Sequence, residues 1–158
     1  MPSLWKALNN AISILAGAPG SYRLGPCVFY KGKISLPNGL YLYYHNLRQT
    51  ADGWVYEHSG ETRRLYGGAL LENIVQALAR CIVMDAEVRI ASRLKAMGLG
   101  FIQLALQCHD ALAYSVPDAL VTSVRNIMQE EMNRRPAWAP DLPLACDTKF
   151  GPNYGDAK

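Results

Sequence analysis

The chain has 158 residues, half of them hydrophobic and 18% charged, which suits one soluble globular core and excludes a disordered or fibrous polymer. A net charge of +3 and a pI near 8.7 permit a polyanionic partner without demanding one. No continuous run reaches the roughly 18 apolar residues of a membrane span, and "MPSLWKALNN" is not a basic segment followed by an apolar one, so the expectation is no membrane, no signal peptide and a cytoplasmic location.

Leu4, Ala7, Leu8, Ala11, Ile12 and Leu15 recur at helical spacing and predict a first amphipathic helix over 4–16, ended by "GAPGS". From Tyr22 to Tyr56 the pattern turns to strands: "VFYKGKISL", "LYLYYHNLRQT" and "WVYEHSG". The turn dipeptides Asn38-Gly39 and Asp52-Gly53 separate them, which predicts a β-meander, with Tyr41, Tyr43 and Tyr44 used in strand packing. Residues 69–97 read as the longest helix. Leu71, Ile74, Val75, Leu78, Ile82, Ala86, Ile90, Leu94 and Met97 keep one face apolar; Gly67-Gly68 open the helix and Gly98 and Gly100 close it. Asn73, Gln76 and Arg80 share a face away from that stripe, which by itself reads as an ordinary solvated surface.

"FIQLALQCHDALAYSVPD" follows and reads as a hairpin whose tip holds His109 and Asp110. Strand alternation puts Gln103, Gln107 and His109 on one face and Ile102, Leu104, Leu106 and Cys108 on the other. A carboxylate on a rigid turn suits a metal ligand, although polar residues also fill turns for local reasons. Pro117 is expected at the first position of a second amphipathic helix, 117–134, with Leu120, Val121, Val124, Ile127, Met128 and Met132 as its core face. Glu130 and Glu131 read as a solvated helix end, and the segment after Leu142 as a last strand. Strands and long helices in separate blocks predict α+β rather than alternating βαβ.

The cysteines, Cys27, Cys81, Cys108 and Cys146, form no C-x-x-C pair, so reduced thiols are expected, with Cys81 and Cys108 buried in apolar segments. There is no G-x-S-x-G elbow, P-loop or H-E-x-x-H motif, and His45 and His58 have no ligand spacing.

Four segments in order, "LWKALNNAI", "LYGGALLENIVQALAR", "LQCHDALAYSVPD" and "LPLACDTKFGPNYGDAK", resemble the C-terminal part of family A DNA polymerases of the bacteriophage type, within the DNA polymerase I family. The likeness spans nearly the whole chain. It implies the C-terminal part of a palm over 1–158: a helix following the fingers (1–18), a β-meander (20–60), and then the primer–template helix, the motif C hairpin, a last helix and a C-terminal strand (61–158). The fold so implied is a partial palm, an antiparallel sheet with two long amphipathic helices.

The resemblance also implies roles. "QCHD" matches motif C, making Asp110 a catalytic metal ligand, with His109 and Gln107 near the primer terminus. Gln76 matches the glutamine that reads the minor groove of the primer–template, with Asn73 and Arg80 beside it and Arg63 and Arg64 as phosphate contacts. The implied reaction is nucleotidyl transfer from dNTP with two magnesium ions. No segment resembles motif A or the lysine-bearing fingers helix, so an upstream polymerase fragment carrying motifs A and B is the implied partner, and the chain alone is expected to be inactive. A phage origin implies the host cell cytoplasm. Two positions depart from the family: Ala111 replaces the usual glutamate after the aspartate, and Cys81 follows Arg80 where phage relatives often have an aspartate. Three readings stay open: a subunit of a split polymerase, an inactive remnant, and an interaction module on a palm scaffold.

Overall fold

The computed structural model describes residues 2–157; Met1 and Lys158 lie outside the described residues. It is an α+β structure with antiparallel sheets and three α-helices. The chain divides into two compact units, Met1–Leu78 and Ala79–Lys158.

In the first unit, helix α1 spans Pro2–Leu15. Strands β1 (Tyr22–Leu24), β2 (Cys27–Tyr30), β3 (Lys33–Ser35) and β4 (Tyr41–Tyr43) form one sheet in sequence order, and β5 (His45–Thr50), β6 (Gly53–His58) and β7 (Glu61–Leu65) form another. The expected single meander is thus two sheets. "VFYKGKISL" breaks at Lys31-Gly32, where Gly32 has a φ of +72°, and "LYLYYHNLRQT" breaks at Tyr44. The Tyr44 N–H is taken by the Gly32 carbonyl at 2.8 Å, and its ring is buried against Tyr56 with centroids 5.0 Å apart. That leaves Tyr44 between the two ladders instead of within either.

Leu8, Ala11, Ile12 and Leu15 of α1 are buried, as are Cys27 and Phe29 on the strand that α1 packs against. The period-3.6 stripe of the helix meets the period-2 inner face of the sheet, so both patterns bury one side only. Tyr41 and Tyr43 do not serve strand packing as expected; both are exposed, because the inward position between them belongs to Leu42.

Helix α2 runs Gly67–Ala96, close to its expected span. Its start is tight. A side chain on Gly67 would sit 2.9 Å from the Trp5 carbonyl oxygen and 3.0 Å from Asn9 Oδ1, and the Gly67 N–H donates to that same Asn9 oxygen at 2.9 Å. A side chain on α1 thereby satisfies one of the free amides at the start of α2. Leu70, Ile74, Cys81, Ala86, Ile90 and Leu94 are buried, whereas Val75 and Met97, expected in the core stripe, are more than half exposed. By length and composition alone α2 is apolar enough to cross a membrane; it carries the exposed Gln76 and Arg80 within its span.

In the second unit, β8 (Leu104–Cys108) and β9 (Ala111–Tyr114) form a two-stranded hairpin. A single 3₁₀ turn (Asp118–Leu120) then leads into α3, Val121–Met132. Pro117 lies just outside this turn with ψ at 139°, so it caps the element instead of taking its first helical position. The core here is Ile90, Leu94, Ile102, Val124 and Ile127, with Leu112, Tyr114, Met128 and Met132 around it. The expected last strand is absent: residues 143–149 alternate between exposed and half-buried but join no ladder among the described residues. A strand needs a neighbour to bond to, and the pattern alone does not supply one.

Glu131 is also unlike its expectation. It is buried, not solvated, because Arg89 Nε bonds its Oε2 at 2.8 Å and Arg93 Nη1 its Oε1 at 3.0 Å. Burial works to raise its carboxyl, but the hydrogen bonds and charges of Arg93 and Arg89 outweigh that and hold it below the usual range.

Candidate functional site

The hairpin tip is set by its register: Cys108 pairs with Ala111, leaving His109 and Asp110 as the two turn residues. His109 has a φ of +53°, in the left-handed region. For a residue with a side chain this costs about 1–2 kcal/mol, a conformation His adopts more readily than bulkier or branched residues. Both tip residues are exposed, so Asp110 presents its carboxylate to solvent from between two hydrogen-bonded strands.

The arms are not arranged as alternation predicts. The pairing shifts between Leu104 and Leu106, an irregularity of the bulge kind. A one-residue slip sends every later side chain to the opposite face. Beyond it, Leu106 and Cys108 point outward and are exposed, while Gln107 turns inward, its Nε2 donating to Met84 Sδ at 3.3 Å. Cys108 is therefore a surface thiol, contrary to expectation, while Cys27 and Cys81 are buried.

On α2, Asn73 is half-buried and donates to the Tyr44 hydroxyl at 3.2 Å. Burial pushes that hydroxyl up to about 12, with the Asn73 bond acting against it and Tyr56 adding to it. Gln76 is exposed, with its Nε2 on Glu72 Oε1 at 3.1 Å, and Arg80 is exposed one turn further on. Gln76 and Arg80 are thus open to a ligand, while Asn73 is committed to the tyrosine. Arg63 and Arg64 are exposed on β7. Arg63 bonds Glu61 at 3.1 Å, and Arg64 donates to the Asp52 carbonyl at 2.7 Å beside an open groove of about 280 Å³ lined also by Asn9, Trp54 and Tyr66.

Among the described residues no three His, Cys, Asp or Glu side chains converge. Magnesium takes one or two carboxylates and completes its shell with water and phosphate oxygens. Asp110 offers one carboxylate, fewer than a two-ion site needs.

The polar pair His109-Asp110 between two apolar arms was legible as a hairpin tip; the Arg89–Glu131–Arg93 cluster was not. Its members lie 42 and 38 residues apart, and only the packing of α3 on α2 brings them together. Comparison with protein-family models, with curated proteins and with solved structures finds no match.

Proposed function

We propose that the chain is the C-terminal part of a family A DNA polymerase palm, a subunit that works with an upstream fragment carrying motifs A and B. The observation that carries this reading is Asp110, an exposed carboxylate at the tip of a hairpin, in the sequence "QCHD". Asp110 contributes one magnesium ligand, and the other bridging carboxylate comes from motif A of the partner. His109 is positioned beside it for the primer terminus. Gln76 and Arg80 are exposed on α2, where an amide donor suits the minor-groove acceptors that A·T and G·C pairs share. Asn73 supports that face through its bond to Tyr44, Gln107 holds the hairpin against α2 through Met84, and the exposed Arg63 and Arg64 are phosphate contacts. In this reading the alternating, unladdered segment 143–149 finds its strand neighbour in the partner fragment.

A second reading is favoured by one observation. Ala111, the first residue of β9, stands exposed where the family has a glutamate, so the hairpin has lost a carboxylate at its tip. That suits a remnant which keeps the fold without the chemistry.

The deciding experiment mixes the chain with a fragment carrying motifs A and B and follows primer extension with dNTPs and magnesium. Extension only in the mixture, abolished by Asp110→Ala, is the expected result. Binding of the fragments without synthesis puts the remnant first. No binding at all refutes the split polymerase and leaves the interaction module.

A further inference from the structure

The outer face of the four-stranded sheet carries rings and cations. In register, Tyr43 lies opposite Lys33 and Lys33 opposite Tyr30, while Tyr41 lies opposite Ser35 in a row that continues through Val28 to Arg23. Residues directly opposite in an antiparallel ladder share a face. The other face holds Cys27, Phe29 and Ile34, all fully buried, so these two rows point to solvent. Tyr30, Tyr41 and Tyr43 are 41%, 40% and 53% exposed.

Along the edge, Tyr41, Tyr43 and His45 make a continuous ladder of rings. Their centroids are 6.0 and 5.7 Å apart, and the Tyr43 and His45 planes lie within 9° of parallel. Lys33 Nζ sits 4.2 Å from the centre of the Tyr41 ring, which orients that ring and brings a cation to its surface. The charge distribution is one-sided. Residues 1–51 contain Lys6, Arg23, Lys31, Lys33 and Arg48 and not one of the chain's 13 carboxylate side chains. The carboxylate that reaches this region from β6, Glu57 opposite His45, is bonded to Arg48 at 3.1 Å and Asn46 at 2.6 Å.

We propose that this face is a platform for single-stranded nucleic acid, with bases stacking on Tyr41, Tyr43 and His45 and phosphates met by Lys33 and Arg23. Open aromatic rings beside a cationic track are the combination that binds single strands with little sequence preference. Outward positions on one strand recur about every 6.8 Å. Bases in a duplex are held about 3.4 Å apart along each strand, so only a strand free to splay its bases can follow this ladder. A neutral sugar would use the rings and leave the cations idle. The inference stands on the sheet face alone and does not rest on the polymerase reading.

The test uses the full chain and fluorescein-labelled oligo(dT) of about twelve nucleotides, followed by anisotropy, since single-strand sites of this kind span about 4–16 nucleotides. Oligo(rU), a duplex of the same length and the neutral sugar cellohexaose are the comparison probes. Tyr43→Ala is expected to weaken oligo(dT) binding about five- to 150-fold, the range that one base on one aromatic ring carries. Tyr43→Phe is expected to keep it. Lys33→Gln removes one cation from the face and is expected to flatten the log–log salt dependence by about 0.7. Oligo(rU) binding like oligo(dT) fits the proposal, because nothing on this face is assigned to the 2′-hydroxyl. Three results each overturn it: a folded Tyr41→Ala/Tyr43→Ala chain that binds oligo(dT) like the parent, duplex bound as tightly as the single strand, or cellohexaose displacing the oligonucleotide. Primer extension has no part in this readout, so failure of extension leaves the platform standing, and loss of the Tyr43 effect leaves the Asp110 reading standing.

Discussion

Replacing Glu131 probes a buried charge cluster of the second unit. Its side chain is 8% exposed and holds Arg89 through Oε2 and Arg93 through Oε1, while a further Arg89 bond goes to the Glu131 backbone carbonyl at 2.8 Å and survives any substitution. A hydrogen bond to a charged group contributes about 1.5–3 kcal/mol. That applies to Arg89, whose side chain is 28% exposed, whereas Arg93 at 40% is screened by solvent and adds little. Glu131→Ala should therefore cost about 1.5–3 kcal/mol. Glu131→Gln, which keeps an acceptor and the volume, should cost about half as much. Urea unfolding followed by Trp138 fluorescence measures it, since Trp138 is the only tryptophan in the second unit. The pH dependence adds an independent arm. The folded carboxyl is held below its ordinary value, so its stabilisation is complete above the ordinary carboxylate range and is lost as pH falls through the lowered value. The gap between parent and Glu131→Gln should close over that acid window. An Ala variant within 0.5 kcal/mol of the parent, or a gap that ignores pH, would refute the reasoning.

Gly67→Ala should destabilise the first unit by about 1–3 kcal/mol, because the new methyl meets the Trp5 carbonyl and Asn9; Asn9→Ala, which removes the bond to the Gly67 amide, should cost about 1 kcal/mol by thermal denaturation. A thiol reagent under native conditions should label Cys108 first and leave Cys27 and Cys81 until the chain unfolds, as mass spectrometry of timed samples would report. Burial, together with the Cys81 neighbour Asp85, raises that thiol further. In an ultraviolet titration, Tyr44 and Tyr114 should ionise last, near 12, both mainly because they are buried. Their raised values mean a contribution to stability that is whole below about pH 10 and is lost as pH climbs through the folded values. Tyr44→Phe should remove one late step from the curve.

Periodicity was enough to read α1, α2 and α3 to within a few residues at most ends, because a helix satisfies its backbone locally and its buried stripe is written at fixed spacing. The hairpin tip at His109-Asp110 was legible for the same reason, as a short polar turn between apolar arms. The strands were less so. Whether "LYLYYHNLRQT" is one strand or two depends on which neighbours offer hydrogen bonds, and Tyr44 left both ladders to be buried against Tyr56. The pairing shift before Leu106 reversed the faces of Gln107 and Cys108, which no alternation within one strand discloses. Glu131 looked like a surface carboxylate until α3 met Arg89 and Arg93 of α2. Local spacing in this chain determined where helices and turns lie; which side chains face water, which strand lacks a neighbour and which charges are buried were decided by contacts between segments far apart in sequence, whose geometry exists only once the chain is folded.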